Sequence, residues 1–475
     1  GLAPEHPHLA GSAQNPDVFF QAREAGNPYY LAAPGIVEDA MDRFAELTGR
    51  RYHTFTYEGA PDATDVIIAM GSGATTAAAT AQSLREREGR KVGVLTVHLY
   101  RPFAVESFIK TLPSTVQRIA VLDRTKEAGA IGEPLYLDIV TAISEAWHSG
   151  TAHFATLPRV IGGRYGLASK EFTPGMAKAV FDALARPAAP AHFTVGINDD
   201  VTGLSLPWDH EYDIEPAGTN RSMFYGVGSD GTVGANKNSI KIIGDETDLH
   251  AQGYFVYDSK KAGSITISHL RFGPDEIRAP YLIREAGFVA CHQFALLERL
   301  DVLEFAAHGA TFLLNSPHGP EDVWDRIPHA IRHEIVKRQL RFFVIDGDGV
   351  AHASGMGRRV NTVMQACFFA LSGILPREEA IESIKKAIRK TYGKRGERVV
   401  QQNFNAVDQA LAHMHEVTVP AMPDLGEDRI VWPPLPTGNG IITPDYMTAM
   451  LIAGRGEDLP VSAMPADGRF ETGTA

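Results

Sequence analysis

Cysteine is scarce in this 475-residue chain: Cys291 and Cys367 stand far apart, each inside an apolar stretch (FVACHQF and MQACFFAL). A disulfide framework or a thiolate metal centre needs more cysteines at close spacing, so both read as buried, reduced core thiols. Nothing here can hold an iron–sulfur cluster through four thiolates. No run approaches the roughly 18–20 apolar residues of a membrane span. The segment GLAPEHPHLAGSAQNPD lacks the basic-then-apolar layout of a signal peptide, which makes the cytoplasm the default location. Positive charge is short too. A net charge of −12 argues against nonspecific nucleic-acid binding, which needs a positive field, although a local basic patch could still take a small anion.

What is present is an ordinary soluble composition, 44% hydrophobic and 21% charged, over a length that predicts two or three domains. Residues 1–30 show little apolar periodicity and read as a connecting segment. From 31 to 188 strand and helix patterns alternate: DVIIAM (65–70), an alanine-rich helix, VGVLTVHLY (92–100), RIAVLDR (118–124), the helical EPLYLDIVTAISEAWH (133–148) and PRVIGGRYG (158–166). Continuous apolar strands between helices predict an α/β fold with a doubly wound, mostly parallel sheet.

ARPAAPAHF (185–193) marks a boundary, and a second α/β domain of the same kind is expected over 189–417. SIKIIG, SITISHL, FVAC, ATFLLNS and RFFVID read as its strands. DVWDRIPHAIRHEIVKRQ and a pair from REEAIESIKKAIRKTYG to QALAHMHE read as helices. The proline- and glycine-rich tail, 418–475, would not pack alone. The chain reads as cut at both ends.

The most informative stretch is YGVGSDGTVGANKNSIKIIG, residues 225–244. Gly226, Gly228 and Gly231 allow a tight turn and close approach of backbone amides to an anion, with Thr232 opening a helix. Lys237 and Lys241, four apart, would share one helix face, and Asn236 and Asn238 add neutral donors. A dinucleotide site would want an acidic residue about 20 positions on, and Asp245, Glu246 and Asp248 come too early. A structural turn, a phosphate cradle and a dinucleotide site all remain open, and the lysines favour the cradle. A second basic turn, GMGRRVN (355–361), places Arg358 and Arg359 before a helix, where they could hold phosphate or simply be solvated.

Other features carry less. GDG (347–349) resembles the start of a thiamine-diphosphate motif, but no Asn pair follows and a hairpin turn is expected. GSGATTA (71–77) has no basic residue until Arg85 and suits helix–sheet packing. HMH (413–415) on a helix would point its imidazoles apart, a poor metal pair. G-x-S-x-G is absent, so no Ser–His–Asp set can be assigned. The profile is that of a binding module rather than a self-sufficient catalyst.

At this point whole segments carry a resemblance. GSAQNPDVFFQAREAGNPYY, GGRYGLASKEFTP, FTVGINDDVTGLSLP, GVGSDGTVGANKNSIKIIGDETDLHAQGYFVYDSKKAGSITISHLRFGP, LLNSPHGPEDVW and LPREEAIESIKKAIRKTYGKRGE resemble the pyruvate:ferredoxin (flavodoxin) oxidoreductase family throughout residues 12–475. The resemblance implies that residues 1–30 end a thiamine-pyrimidine-binding domain and that 31–188 are similar to a transketolase C-terminal domain. It further implies that 189–417 form a coenzyme-A-associated domain and that 418–475 start a connector.

The family converts pyruvate, coenzyme A and an oxidised carrier to acetyl-CoA, CO2 and reduced ferredoxin or flavodoxin. It uses thiamine diphosphate, Mg2+ and [4Fe–4S] clusters, whose motifs lie mainly outside this chain. The intact enzyme is expected to be a homodimer, and this part alone inactive. By resemblance, coenzyme A is expected at Gly226, Gly228, Gly231, Thr232, Lys237, Asn238, Lys241, Asn315, Arg359 and Asn361. Arg358 stands where the family's G-R-I-N turn has glycine, and Val360 where it has Ile. A free-standing scaffold subunit of a multi-subunit oxidoreductase is the alternative, and a nicotinamide-dependent dehydrogenase a more distant one.

Overall fold

The computed structural model describes residues 3–7, 13–257, 264–357, 359–420, 447–448, 450–451 and 454–469. The chain divides into two compact units, Gly1–Gly196 with Leu204–His210, and Ile197–Gly203 with Glu211–Ala475.

The first unit opens with α1 (Pro16–Glu24) and α2 (Asn27–Thr48), each with proline in its first turn. The connecting segment expected over residues 1–30 is therefore helical from Pro16 onward, save for a two-residue turn. Neither helix buries a residue; Phe19, Phe20, Tyr29, Tyr30 and Leu31 are all exposed. Without a core-facing stripe there is no 3.6-residue period to read.

There follow β1 (Phe55–Gly59), β2 (Asp65–Ala69), α3 (Gly71–Glu88), β3 (Val92–Val97), α4 (Val105–Thr111), β4 (Arg118–Asp123), α5 (Pro134–Ser149), β5 (Arg159–Arg164), α6 (Pro174–Ala185) and β6 (His192–Thr194). The sheet runs β1-β3-β2-β4-β5-β6, parallel except for the β1 edge. Val66, Ile68, Leu95, Val97, Ile119 and Val121 alternate onto one face beneath α4 and α5. On α3, Gly73 packs so closely against Tyr165 that a Cβ would not fit, which gives that glycine of GSGATTA a packing role.

The second unit contains β7 (Asn220–Val227), α7 (Thr232–Glu246), β8 (His250–Tyr257), β9 (Ile265–Gly273), β10 (Ala286–Cys291), β11 (Ala306–Asn315), α8 (Val323–Arg326), α9 (His329–Lys337), β12 (Arg341–Ile345), α10 (Gly347–Ala353), α11 (Asn361–Ser372), α12 (Arg377–Tyr392), α13 (Glu397–His413) and β13 (His415–Glu416). Its sheet order is β13-β12-β11-β10-β7-β9-β8. The four central strands are parallel, and β13, β9 and β8 pair antiparallel at the flanks.

Each parallel strand sends alternate residues to two separate cores. Phe224, Phe288, Ala290, Leu313, Phe343 and Ile345 face the core shared with α7 and α10–α13. Tyr225, Val289, Cys291, Phe312, Leu314 and Val344 face the opposite core, shared with α8 and α9.

Four expectations change here. SIKIIG is the end of α7 rather than a strand, since Thr232, Ala235, Asn236, Ser239, Ile242 and Ile243 form one buried helical stripe. GDG opens α10, with the Asp346 carboxylate capping the Gly349 amide, so there is no hairpin. The single helix expected over DVWDRIPHAIRHEIVKRQ is two, broken at Ile327–Pro328. HMH is not all helical: His413 ends α13 and His415 lies on β13.

Candidate functional site

The parallel strands fix where polar groups can gather. After β7 the chain leaves through α7 towards β8 and β9 on one side. After β10 it steps to β11 and β12 on the other. The β7/β10 pair is thus the point where the winding changes direction, and in open α/β sheets ligands bind outside the carboxyl ends of the strands at such a point. In register, Cys291 pairs with Tyr225 and Leu314, and Asn315 with Ile345, so these strands end together.

The glycine turn leaves β7 at this edge. Gly226 packs so closely on Thr232 and Asp230 that a Cβ would not fit, and Gly231 adopts φ 89° with its Cα against the Asn361 side chain. The Asp230 carboxylate accepts from the Val227 amide at 2.8 Å and the Thr232 amide at 2.8 Å. The Gly228 amide donates to the Ser264 carbonyl at 2.6 Å. The anion that this turn holds is its own aspartate.

His292, the first residue after β10, lies directly beneath. Its Nδ1 is 2.9 Å from the Thr232 hydroxyl, and both residues are buried. Burial lowers the imidazole to about 4 despite the nearby Asp230 charge, so His292 is neutral at physiological pH. The Asn315 side chain donates to the His292 carbonyl at 3.0 Å and to Asp348 at 3.1 Å, and accepts from the Gly347 amide at 2.9 Å. One asparagine thus ties the ends of β10, β11 and β12 together.

Three residues near Gly231–Thr232 each carry a buried polar atom with no hydrogen-bond partner among the described residues: His292 Nε2, Asn236 Nδ2 and Asn361 Oδ1. His292 and Asn236 are each 2% exposed. Such atoms cost free energy unless a hydrogen-bonding partner satisfies them.

Gly226, Gly231, Thr232, Asn315 and Asn361 therefore converge, and Gly228 joins through its backbone. Asn238 is half-buried on the α11 side, 3.4 Å from Gln365. Lys237 and Lys241 do not share this edge. They lie roughly 140° and 180° around α7 from Thr232; both are exposed, with the Lys237 ammonium 5.3 Å from the Phe255 ring on β8. Arg359 is exposed, and Arg358 lies outside the described residues.

Asp230 and His292 were not among the residues expected here, whereas Asn236 was expected as a neutral donor beside the lysines. A polar residue closing a buried strand, as His292 closes FVAC, was the available signal. Further along the same edge, His318, His413 and His415 line a cavity of about 310 Å³ with Asp346. No described group of side chains there has metal-binding geometry.

Comparison with known proteins gives a consistent result. Residues 221–413 match the family described as pyruvate ferredoxin/flavodoxin oxidoreductase, residues 63–165 match pyruvate:ferredoxin oxidoreductase core domain II, and residues 445–475 match a domain of unknown function. The chain is 57% identical to a pyruvate-flavodoxin oxidoreductase of Rhodospirillum rubrum, covering 100% of this chain and 39% of that protein. It is 56% identical to the pyruvate-flavodoxin oxidoreductase of Trichormus variabilis, again 100% of this chain and 39% of that protein. With the pyruvate:ferredoxin oxidoreductase of Moorella thermoacetica the identity is 49%, over 100% of this chain and 39% of that protein.

Proposed function

Since its matched domains place the chain in the pyruvate ferredoxin/flavodoxin oxidoreductase family, we propose that it is the middle portion of an enzyme that oxidises pyruvate with coenzyme A to acetyl-CoA and CO2 and passes the electrons to ferredoxin or flavodoxin. Within that enzyme, residues 189–417 dock coenzyme A and residues 31–188 buttress the neighbouring catalytic domains. The thiamine diphosphate, Mg2+ and [4Fe–4S] clusters belong to other parts of the enzyme. Cys291 and Cys367 are both buried, on a strand and a helix that feed opposite cores, which does not fit cluster ligation. GDG is committed to starting α10, and Asp348 to Asn315.

The observation that supports coenzyme A docking is the set of unpartnered buried polar atoms at the carboxyl edge of β7 and β10. The phosphates of the ligand then meet Lys237 and Lys241 on the exposed face of α7, while its arm enters the edge beside Gly231. Calorimetric titration tests this with coenzyme A, dephospho-coenzyme A and NAD, on the natural chain and on a Lys237→Ala/Lys241→Ala variant. Saturable coenzyme A binding that weakens on loss of the 3′-phosphate or of both lysines is expected. Tighter binding of NAD, or no binding of coenzyme A by a folded chain, overturns the assignment.

A further inference from the structure

We infer that the buried edge around Thr232 and His292 recognises a secondary amide rather than a phosphate, so that it holds the pantetheine arm of the ligand. This rests on the coenzyme A reading above and adds which part of that molecule enters.

The argument begins with charge. The turn that looks like a phosphate loop already carries an anion, because the Asp230 carboxylate takes the Val227 and Thr232 amides. A second carboxylate, Asp348, is held 3.1 Å from Asn315, whose same nitrogen donates to the His292 carbonyl. The imidazole beside them is neutral. Lys237 and Lys241 point away on the exposed side of α7, and Arg359 is exposed. A phosphate pressed into this edge would be desolvated next to carboxylates with no buried cation against it among the described residues, a strongly unfavourable arrangement.

The unpartnered atoms have the opposite character. Asn236 Nδ2 is a donor, Asn361 Oδ1 an acceptor, and His292 Nε2 a third hydrogen-bonding position. They belong to one neighbourhood. Asn361 rests on Gly231, His292 bonds to Thr232, and Asn236 follows Thr232 by one turn of α7. Gln365, one turn beyond Asn361 on α11, donates to Ala235 O at 3.3 Å and to Ser239 at 2.9 Å, which keeps the two helices in step. A secondary amide offers one carbonyl and one N–H on opposite sides. It satisfies an Asn236-type donor and an Asn361-type acceptor together, with no net charge to desolvate. The pantetheine arm of coenzyme A carries such amides and a hydroxyl suited to His292. A fully ionised phosphate can satisfy the donor but not the acceptor.

The test uses the full chain and perturbs the ligand as well as the protein. Titrations compare coenzyme A, adenosine 3′,5′-bisphosphate, and analogues of coenzyme A in which each pantetheine amide in turn is an ester and so lacks its N–H. One ester analogue is expected to bind about tenfold more weakly than coenzyme A, the effect of one buried hydrogen bond. In an Asn361→Leu variant coenzyme A itself weakens about tenfold and the ester analogue loses little more, because the partner is already gone. Binding of adenosine 3′,5′-bisphosphate is expected to fall in Lys237→Ala/Lys241→Ala and to be unchanged in Asn361→Leu.

If coenzyme A binds but every ester analogue binds equally well, the amide inference is overturned and coenzyme A docking stands. If adenosine 3′,5′-bisphosphate loses affinity in Asn361→Leu, the edge takes phosphate and the inference is again overturned. If neither coenzyme A nor the bisphosphate binds, both readings are overturned together. The ester comparison on the natural chain needs no substitution, so a misfolded variant cannot obscure it.

Discussion

Thr232 and His292 lie 2.9 Å apart, hydroxyl oxygen to Nδ1, across the point where the second sheet reverses its winding. The pair joins the start of α7 to the end of β10, and both residues are buried. The two elements that frame the edge therefore cannot shift independently without breaking a buried hydrogen bond.

The titration of His292 follows from that burial. An unfolded histidine takes up its proton near pH 6.5, whereas the native imidazole resists until about 4. The unfolded chain binds more protons in that interval, so stability is complete above about 6.5 and is lost as the pH falls toward 4. The contribution is on the order of 3 kcal/mol at most. His269, lowered to about 3 by burial and by the Arg271 charge, acts in the same direction. His292→Gln is expected to make the fall of the urea midpoint between pH 6.5 and 4 shallower without abolishing it. An unchanged slope would place the acid sensitivity elsewhere.

Reactivity of the thiols offers a second check. Cys291 and Cys367 are fully buried, and burial pushes both up to about 12. Almost no thiolate exists at pH 8, and reagent cannot reach it. Titration with a disulfide reagent should find no fast-reacting thiol in the native chain and two after denaturation. A rapid native reaction would show that β10 or α11 opens locally.

Much of this architecture was legible. The strands DVIIAM, RIAVLDR, FVAC and RFFVID are buried on both faces, so each shows as an unbroken apolar run. α7 was half hidden because its buried stripe holds Thr232, Asn236 and Ser239, leaving its apolar end to imitate a strand. β8 was missed because most of it is only partly covered at a sheet edge. The glycine turn was visible as a turn. What the glycines could not disclose was that Asp230 fills it, because that depends on a side chain folding back onto amides at either side of it. Lys237 and Lys241 do share a helix face, but their spacing says nothing about where that face lies relative to Thr232.

The buried ion pair of β9 predicts a large stability effect. Arg271 is fully buried; its Nε donates to Glu215 at 2.7 Å and its Nη1 to Gln252 at 3.0 Å. Arg271→Met would strand the Glu215 carboxylate, itself 6% exposed. The expected loss is about 3–5 kcal/mol in urea unfolding. Arg271→Met/Glu215→Leu should recover a large part of it, since removing both charges costs far less than removing one. A double variant no more stable than the single one would mean that packing, not charge, sets the cost.

Gly231 gives the most local prediction. Its φ of 89° is left-handed, and a Cβ there would run into the Asn361 side chain. Backbone strain alone is worth about 1–3 kcal/mol, and the contact adds displacement of Asn361 from the candidate edge. Gly231→Ala should lower the thermal midpoint and also weaken coenzyme A binding. Gly231→Ala/Asn361→Gly removes the obstruction but not the strain or the missing acceptor. The double variant should therefore regain part of the stability and none of the affinity. If the double variant binds as tightly as the natural chain, Asn361 makes no contact with the ligand, and the edge must be read without it.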